Sequence, residues 1–452
     1  MSDLLELAEA VASRARPGEE VEAYVARGHE TEIRVFEGEI ESLSSATTSG
    51  IGIRVLVGGD GAGSRLGFAW AGSLDPDVVS ATLEEARDNA AFATPDPEVD
   101  FARFDGVAPV ALDLWDPELT DTPTDRKVSM ALELERRVRA GDRRIRQVAS
   151  ADYGDDRVEV ALASSVGLRA EMCRTSAVVS VSAIAGEGPD SQTGTGFSAA
   201  RGPGGLDLDA AVNDALTRST RLLGAVKPRS GRVTVVFDPR VTSSLLAIVA
   251  SALSGEAVVK GRSFFAERLG EVVATPEVTL VDDPTDRRAL SAATHDAEGL
   301  ACRRNVLIEG GRLRGFVYDT VSANRAGTTS TGSAVRGGYA GTPGAGCRAV
   351  VLNPGELDGD GVLAAVGEGL YVQSVSGLHS GVSPVSGDFS VGAEGLMIRG
   401  GALAEPVREM TIASTLQRML QSVVCVGGDL EWLPGIAAGQ TLAVGDMQLS
   451  GR

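Results

Sequence analysis

Apolar residues in the first part of the chain recur with a helical period, then alternate with polar ones, then recur helically again. Leu4, Leu5, Leu7, Ala8, Val11 and Ala12 mark one face of a helix over Leu4–Ala15. Val21–Arg27 and Glu32–Phe36 alternate as half-buried strands do, and Glu37-Gly38-Glu39 reads as a turn. Ile40–Ser44, Gly50–Val57 and Arg65–Trp70 continue the strands, and Asp75-Pro76 opens a helix over Val78–Phe92. After a crossing, Thr94–Pro123, the scheme repeats. Thr124–Ala140 is helical, Ile145–Ala151, Arg157–Ser164, Gly167–Cys173 and Ala177–Ala185 read as strands, and Leu206–Leu223 is helical again. The repetition predicts a duplicated helix–meander–helix plan, near 1–95 and 124–226, inside an N-terminal α+β domain of residues 1–230.

The pattern changes at Lys227–Gly231, the expected domain boundary, after which Val233–Phe237 starts a new strand. Asp238 reads as an N-cap, with Pro239 at the first helical position, where its missing N–H costs nothing. Val241, Leu245, Ile248, Val249, Ala252 and Leu253 have the spacing of one buried face, which predicts a central helix at 239–254 with Gly255 as its stop. Ser263–Leu269 reads as a further helical turn or two. Short strands follow at Val278–Val281, Asn305–Glu309, Arg312–Tyr318, Ala349–Leu352, Asp388–Val391, Glu394–Arg399, Ala402–Val407 and Val423–Val426. Gly361–Gly369 and Thr415–Ser422 read as short helices, and the glycine-rich Ala323–Gly346 as a loop. Short strands closed by glycine-containing turns predict a curved sheet or barrel-like domain over 231–452. The fold class is α+β.

Composition removes several classes of function. With 452 residues, two domains are the expectation. A net charge of −20 opposes a nucleic-acid partner held through phosphates, and opposes anionic membranes too. The acidic start, MSDLLELAEAVASRARPGEE, lacks the basic and apolar regions of a signal peptide, and no run of about eighteen apolar residues occurs. Cys173, Cys302, Cys347 and Cys425 lie far apart without CxxC spacing and read as reduced thiols, so the expected compartment is the cytoplasm.

Candidate chemistry is sparse. The central helix offers only Thr242, Ser243, Ser244, Ser251 and Ser254 as polar groups, with no His, Asp, Glu or Cys between Val241 and Ser254. His29-Glu30 begins like a zinc motif, but no second histidine follows and the segment alternates like a strand. His295-Asp296 lacks a GxSxG serine and reads as an exposed turn. A dyad of Ser251 or Ser254 with Lys260 needs a buried lysine, whereas Lys260-Gly261-Arg262 is polar. Asp282-Asp283, Asp286 and Asp358-Gly359-Asp360 lack a full calcium spacing and read as turns. Gly337 and Gly338 would let a peptide backbone approach closely, with Arg336 near its carboxylate and His379 as a loop contact.

The segment Phe237–Val273 resembles the central segment of the TldD/PmbA family, in its PmbA/TldE branch. Asn305–Tyr318, Thr328-Thr329-Ser330-Thr331-Gly332, Val385-Ser386-Gly387-Asp388-Phe389, Pro406–Ile412 and Val426-Gly427-Gly428-Asp429-Leu430 are similar to family segments in the same order. TldD members carry HExxxH on the equivalent helix. Set against that motif without gaps, anchored on Lys260-Gly261 and Leu269-Gly270-Glu271, Leu246 and Ser251 fall at the histidine positions and Ala247 at the glutamate. Zinc needs imidazole, thiolate or carboxylate, which these residues do not supply. The resemblance implies a metal-free subunit that pairs with a TldD-like metallopeptidase chain, zinc residing in that partner and none in this chain. The substrate class implied is small or unfolded peptides, with a homodimer as the alternative assembly when the partner is absent. A stand-alone metal-independent hydrolase using Ser254, Lys260 or His379, or a non-enzymatic binding protein such as a gyrase modulator, is the rival expectation.

Overall fold

The computed structural model describes residues 2–58 and 63–452. Its first part is helix α1 (Asp3–Ala12), strands β1 (Glu19–Phe36), β2 (Glu39–Val57) and β3 (Arg65–Ala71), and helix α2 (Pro76–Phe92). A crossing that carries the short α3 (Pro117–Asp121) leads to α4 (Thr124–Gly141), β4 (Ile145–Ser164), β5 (Arg169–Ala185), β6 (Gln192–Ala200) and α5 (Leu208–Thr220). Both meanders join one antiparallel sheet in the order β3-β2-β1-β4-β5-β6. β1 and β4 pair at its centre, Glu22 opposite Ser164 and Val35 opposite Ala151, so the two helix–meander–helix units meet across a pseudo-two-fold ladder.

Four pairs of short strands expected from the sequence are instead four long strands of 17 to 20 residues. The polar interruptions, such as Ser42–Ser49, stay in the ladder although their side chains face solvent on both sides. Backbone pairing holds them there, and pairing leaves no periodic trace in a sequence.

All four long helices cover one face of the sheet. α1 and α2 pack on Val21, Val25, Ile51, Ile53 and Val55, while α4 and α5 pack on Ile33, Val35, Tyr153, Val179 and Val181. The opposite face presents Tyr24, Val160, Leu162 and Leu168, which meet Leu300 of the C-terminal part.

The C-terminal part begins with β7 (Gly231–Phe237), α6 (Pro239–Ala252) and α7 (Gly255–Val259). Next come β8 (Leu280–Asp282), β9 (Asn305–Glu309), β10 (Arg312–Leu313), α8 (Thr320–Ala326), the hairpin β11 (Ala334–Val335) and β12 (Gly344–Ala345), and β13 (Val350–Leu352). The chain ends through α9 (Gly359–Val366), β14 (Gly369–Ser376), α10 (Leu378–Gly381), β15 (Asp388–Arg399), β16 (Ala402–Thr415), α11 (Leu416–Leu420), β17 (Val423–Val426) and β18 (Leu442–Ser450). β16-β15-β14-β7-β18 form a barrel, closed where Thr411–Ala413 of β16 pair with Gln448–Ser450 of β18. The expected α+β class with a barrel-like second half is therefore what the chain adopts. No helix among the described residues is long and apolar enough to cross a membrane.

Several local expectations need correction. Gly255 does not simply stop the central helix: α6 ends at Ala252, and Gly255 opens α7. A Cβ on Gly255 would lie 2.1 Å from the Tyr318 ring, so tertiary contact sets that residue. Ser263–Leu269 folds as turns, because Ser263 Oγ bonds the Ala252 carbonyl and the Phe265 N–H instead of continuing a helix. Of Arg312–Tyr318 only Arg312–Leu313 pair as a strand. The glycine-rich segment holds the end of α8 and the β11–β12 hairpin. β6, β14 and β18 have no counterpart among the expected strands.

Candidate functional site

The central helix is fixed at its first residue. The Asp238 side chain accepts from the Arg240 N–H at 3.0 Å, as an N-cap should. Arg218 of α5 donates to both Asp238 oxygens at 2.8 Å, and the Tyr371 hydroxyl donates at 2.6 Å. This clasp ties α6 to both α5 and the barrel. From there Val241, Leu245, Leu246 and Val249 enter the main core beside Val235, Phe237, Leu370 and Phe389.

A cavity of about 620 Å³ opens at the other end of α6. Its walls are Ala250, Ser251 and Ser254, α7 with Glu256, then Lys260, Arg262, Val335, Cys347, Arg348 and Ile436. The Ser251 and Ser254 hydroxyls are already engaged, Ser251 donating to the Ile248 carbonyl at 2.7 Å and Ser254 to the Ala345 carbonyl at 2.9 Å, while the buried Ser291 hydroxyl of the same wall has no hydrogen-bond partner among the described residues. Lys260 is exposed and ion-paired with Glu256 at 2.5 Å, so the serine–lysine arrangement has neither a free hydroxyl nor a buried amine. Burial pushes the Cys347 thiol well above its ordinary value, which leaves it a poor thiolate.

The positions that resemblance sets against HExxxH do not fit zinc. Leu246 is buried in the core, Ala247 packs against it, and the Ser251 hydroxyl is bonded within its own helix. Among the described residues no group of three His, Cys, Asp or Glu side chains is placed to hold a metal ion.

The peptide-contact residues are dispersed. Arg336 is buried between the two halves of the molecule, its Nη2 donating to Glu22 Oε1 at 2.9 Å and to the Ala297 carbonyl at 2.6 Å. Glu22 also accepts from Arg54 at 2.8 and 2.5 Å. Burial would raise the Glu22 carboxyl, but the two guanidiniums bring it below its ordinary value. Gly337 and Gly338 follow in the β11–β12 loop, whereas exposed His379 sits in α10 and lines neither this cavity nor a second one beside Arg336.

The same loop carries Tyr339 onto the N-terminal sheet. A Cβ on Gly52 would lie 2.2 Å from the Tyr339 carbonyl oxygen, and Trp70 stacks 6.0 Å from the Tyr339 ring. His29 lies within β1 against Thr47 at 2.9 Å. His295 is half-buried rather than exposed, and burial lowers its pKa. Its neighbour Asp296 accepts from the N–H groups of Glu298, Leu300 and Ala334 and so orders a loop instead of orienting a base. Asp282 accepts from the Arg348 and Ala349 N–H groups, and Asp358 caps α9.

The sequence reading did not single out Glu22, Arg54, Arg348, Tyr24 or Arg174. Each is an isolated residue in an ordinary strand or loop, and only the tertiary fold brings them together.

An α+β chain with a strand-built barrel and a helix entering its core matches a known architecture. Residues 21–90 match the model for PmbA/TldA metallopeptidase domain 1, residues 117–223 the central domain, and residues 230–451 the C-terminal domain. The chain belongs to the PmbA/TldD metallopeptidase family. It is 27% identical to the metalloprotease PmbA of Escherichia coli O157:H7, over 99% of this chain and 96% of that one. It is 26% identical to a TldD homolog of Haemophilus influenzae, over 90% and 86%. TldE from Thermococcus kodakarensis superimposes with a TM-score of 0.87 at 25% identity, over 99% of both chains.

Proposed function

We propose that this chain is the TldE/PmbA-like, metal-free subunit of a heteromeric TldD/TldE-type zinc peptidase that trims or degrades small unfolded peptides in the cytoplasm. One observation carries the proposal. The helix that resemblance sets against the metal-binding helix of TldD members presents Leu246, Ala247 and Ser251, and its first two positions are taken up by core packing. Zinc, its bound water and the general base would then belong to a TldD-like partner. This chain would supply the interface and part of the wall around the substrate, including the cavity at the end of α6.

The test is to co-express the chain with the TldD-like protein of its own genome. Zinc content and cleavage of an unstructured peptide are measured for each chain alone and for the pair. Zinc and full activity are expected only when the partner is present. Leu246→Ala should destabilise this chain by about 2–5 kcal/mol, as core leucine truncations do, while the zinc content of the complex stays unchanged. Cleavage by this chain alone that survives EDTA would overturn the proposal.

A further inference from the structure

A second cavity, of about 410 Å³, lies between the N-terminal sheet and the C-terminal loops. One wall is apolar, built from Leu112, Leu114, Val158, Val160 and Met172. The other gathers positive charge, since Arg336, Arg348 and Arg174 all act on the Tyr24 hydroxyl. Arg336 is committed to Glu22, with its guanidinium carbon 4.3 Å from the centre of the Tyr24 ring. The guanidiniums of Arg174 and Arg348 have no carboxylate partner among the described residues, and that of Arg348 makes only a 3.4 Å contact to the Ala334 carbonyl. The Tyr24 hydroxyl likewise has no hydrogen-bond partner among them. Glu171, the acidic residue of the lining, is occupied by the Ser2 N–H at 3.0 Å.

Two unpaired guanidiniums and a free hydroxyl beside an apolar wall form a receptor for an oxyanion attached to something greasy. In a chain of net charge −20, two guanidiniums without an ion-pair partner in one cavity run against the overall field. Guanidinium groups match the two oxygens of a carboxylate, the phenol adds a third donor, and the volume suits a small ligand. We infer that this cavity binds the C-terminal carboxylate of a peptide whose last residue is apolar.

The choice of a peptide over another apolar acid comes from the neighbouring cavity. Val335 lines the first cavity, Arg336 the second, and Arg348 lines both, as alternation along a strand and its flanks allows. Arg348 is therefore common to both, and a peptide whose carboxylate meets Arg348 in the second cavity would run from there toward the first. That peptide assignment rests on the proposed function, whereas recognition of the carboxylate does not.

Calorimetric titration of the full chain tests it, using N-acetyl-Ala-Leu, the same dipeptide as its C-terminal amide, and decanoate. The free acid should bind about 10-fold or more tightly than the amide, the worth of a charge-assisted hydrogen bond. Arg174→Gln, at an exposed position, and Tyr24→Phe should each weaken the acid about 10-fold and leave the amide unchanged. Equal affinity for acid and amide, binding of neither, or an Arg174→Gln chain that holds the acid like the parent would overturn the inference. Binding of decanoate without the dipeptide acid would overturn the peptide assignment. None of these titrations needs the partner subunit, so they fail or succeed independently of the peptidase assay.

Discussion

Arg336→Met would release the charged clamp between the two halves of the molecule. The Arg336 side chain is 1% exposed, and its Nη2 donates to Glu22 at 2.9 Å and to the Ala297 carbonyl at 2.6 Å. Methionine has similar length and no polar atoms, so little cavity is created. The losses are a charge-assisted hydrogen bond, about 1.5–3 kcal/mol, and the attraction to the Tyr24 ring, about 2 kcal/mol when desolvated. Two effects reduce that sum. Glu22 keeps Arg54, so the carboxylate is not left alone in the interior. Arg336 Nε and Nη1 have no hydrogen-bond partner, and removing buried unpaired donors is favourable. The net cost should be about 2–3 kcal/mol, read as a lower urea midpoint by far-ultraviolet circular dichroism of the full-length chain. Arg336→Lys, which keeps charge but not the planar fork, should fall between the two. An Arg336→Met chain within about 0.5 kcal/mol of the parent would refute the clamp, because surface substitutions do as little.

Gly52→Ala forces a Cβ to within 2.2 Å of the Tyr339 carbonyl oxygen and should cost about 2 kcal/mol in thermal unfolding, whereas Gly337→Ala, with nothing within 4 Å, should be near neutral. Burial raises the Asp282 carboxyl from 3.8 to about 6, so the folded chain holds that proton more tightly than the unfolded chain does. The contribution is fully present below about pH 4 and is lost as pH rises through 6. Asp282→Asn keeps the acceptor for the Arg348 and Ala349 N–H groups and should remove a decline of about 3 kcal/mol between pH 4 and 7, seen by comparing denaturation midpoints across that range. An unchanged pH profile in the variant would show that Asp282 stays ionised in the folded chain.

What the sequence disclosed was local. Asp238-Pro239 announced the start of α6 because capping depends on adjacent residues, and Val241 to Val249 announced its buried face because helical period survives in any context. Strand limits were less legible. Ser42–Ser49 carries no alternation, yet it belongs to β2 because β1 pairs with it, and β18 turns through Asp446 at a φ of 56° midway along its length. The site was legible only as residue types, such as Leu246, Ala247 and Ser251 on α6. Its construction was not. Gly52 has no local reason to be glycine until Tyr339 arrives from the far half of the chain, and Glu22 reads as a solvent residue in an alternating strand until Arg54 and Arg336 bury it. Such pairings are properties of the folded surface, with no periodic signature.

The clasp at Asp238 makes α6 a strut between α5 and the cavity. A helix of 14 residues is about 21 Å long, anchored at one end by Arg218 of α5 and held at the other by the Ser263 hydroxyl on the Ala252 carbonyl, where it forms a wall of the 620 Å³ cavity. A tilt of about 5° at the anchor displaces the far end by about 2 Å, most of the width of a water molecule. A change in the angle between α5 and the strand Gly231–Phe237 would therefore be felt at the cavity wall beside Ser251. A protein docking on α5 would press on that strut without touching the cavity.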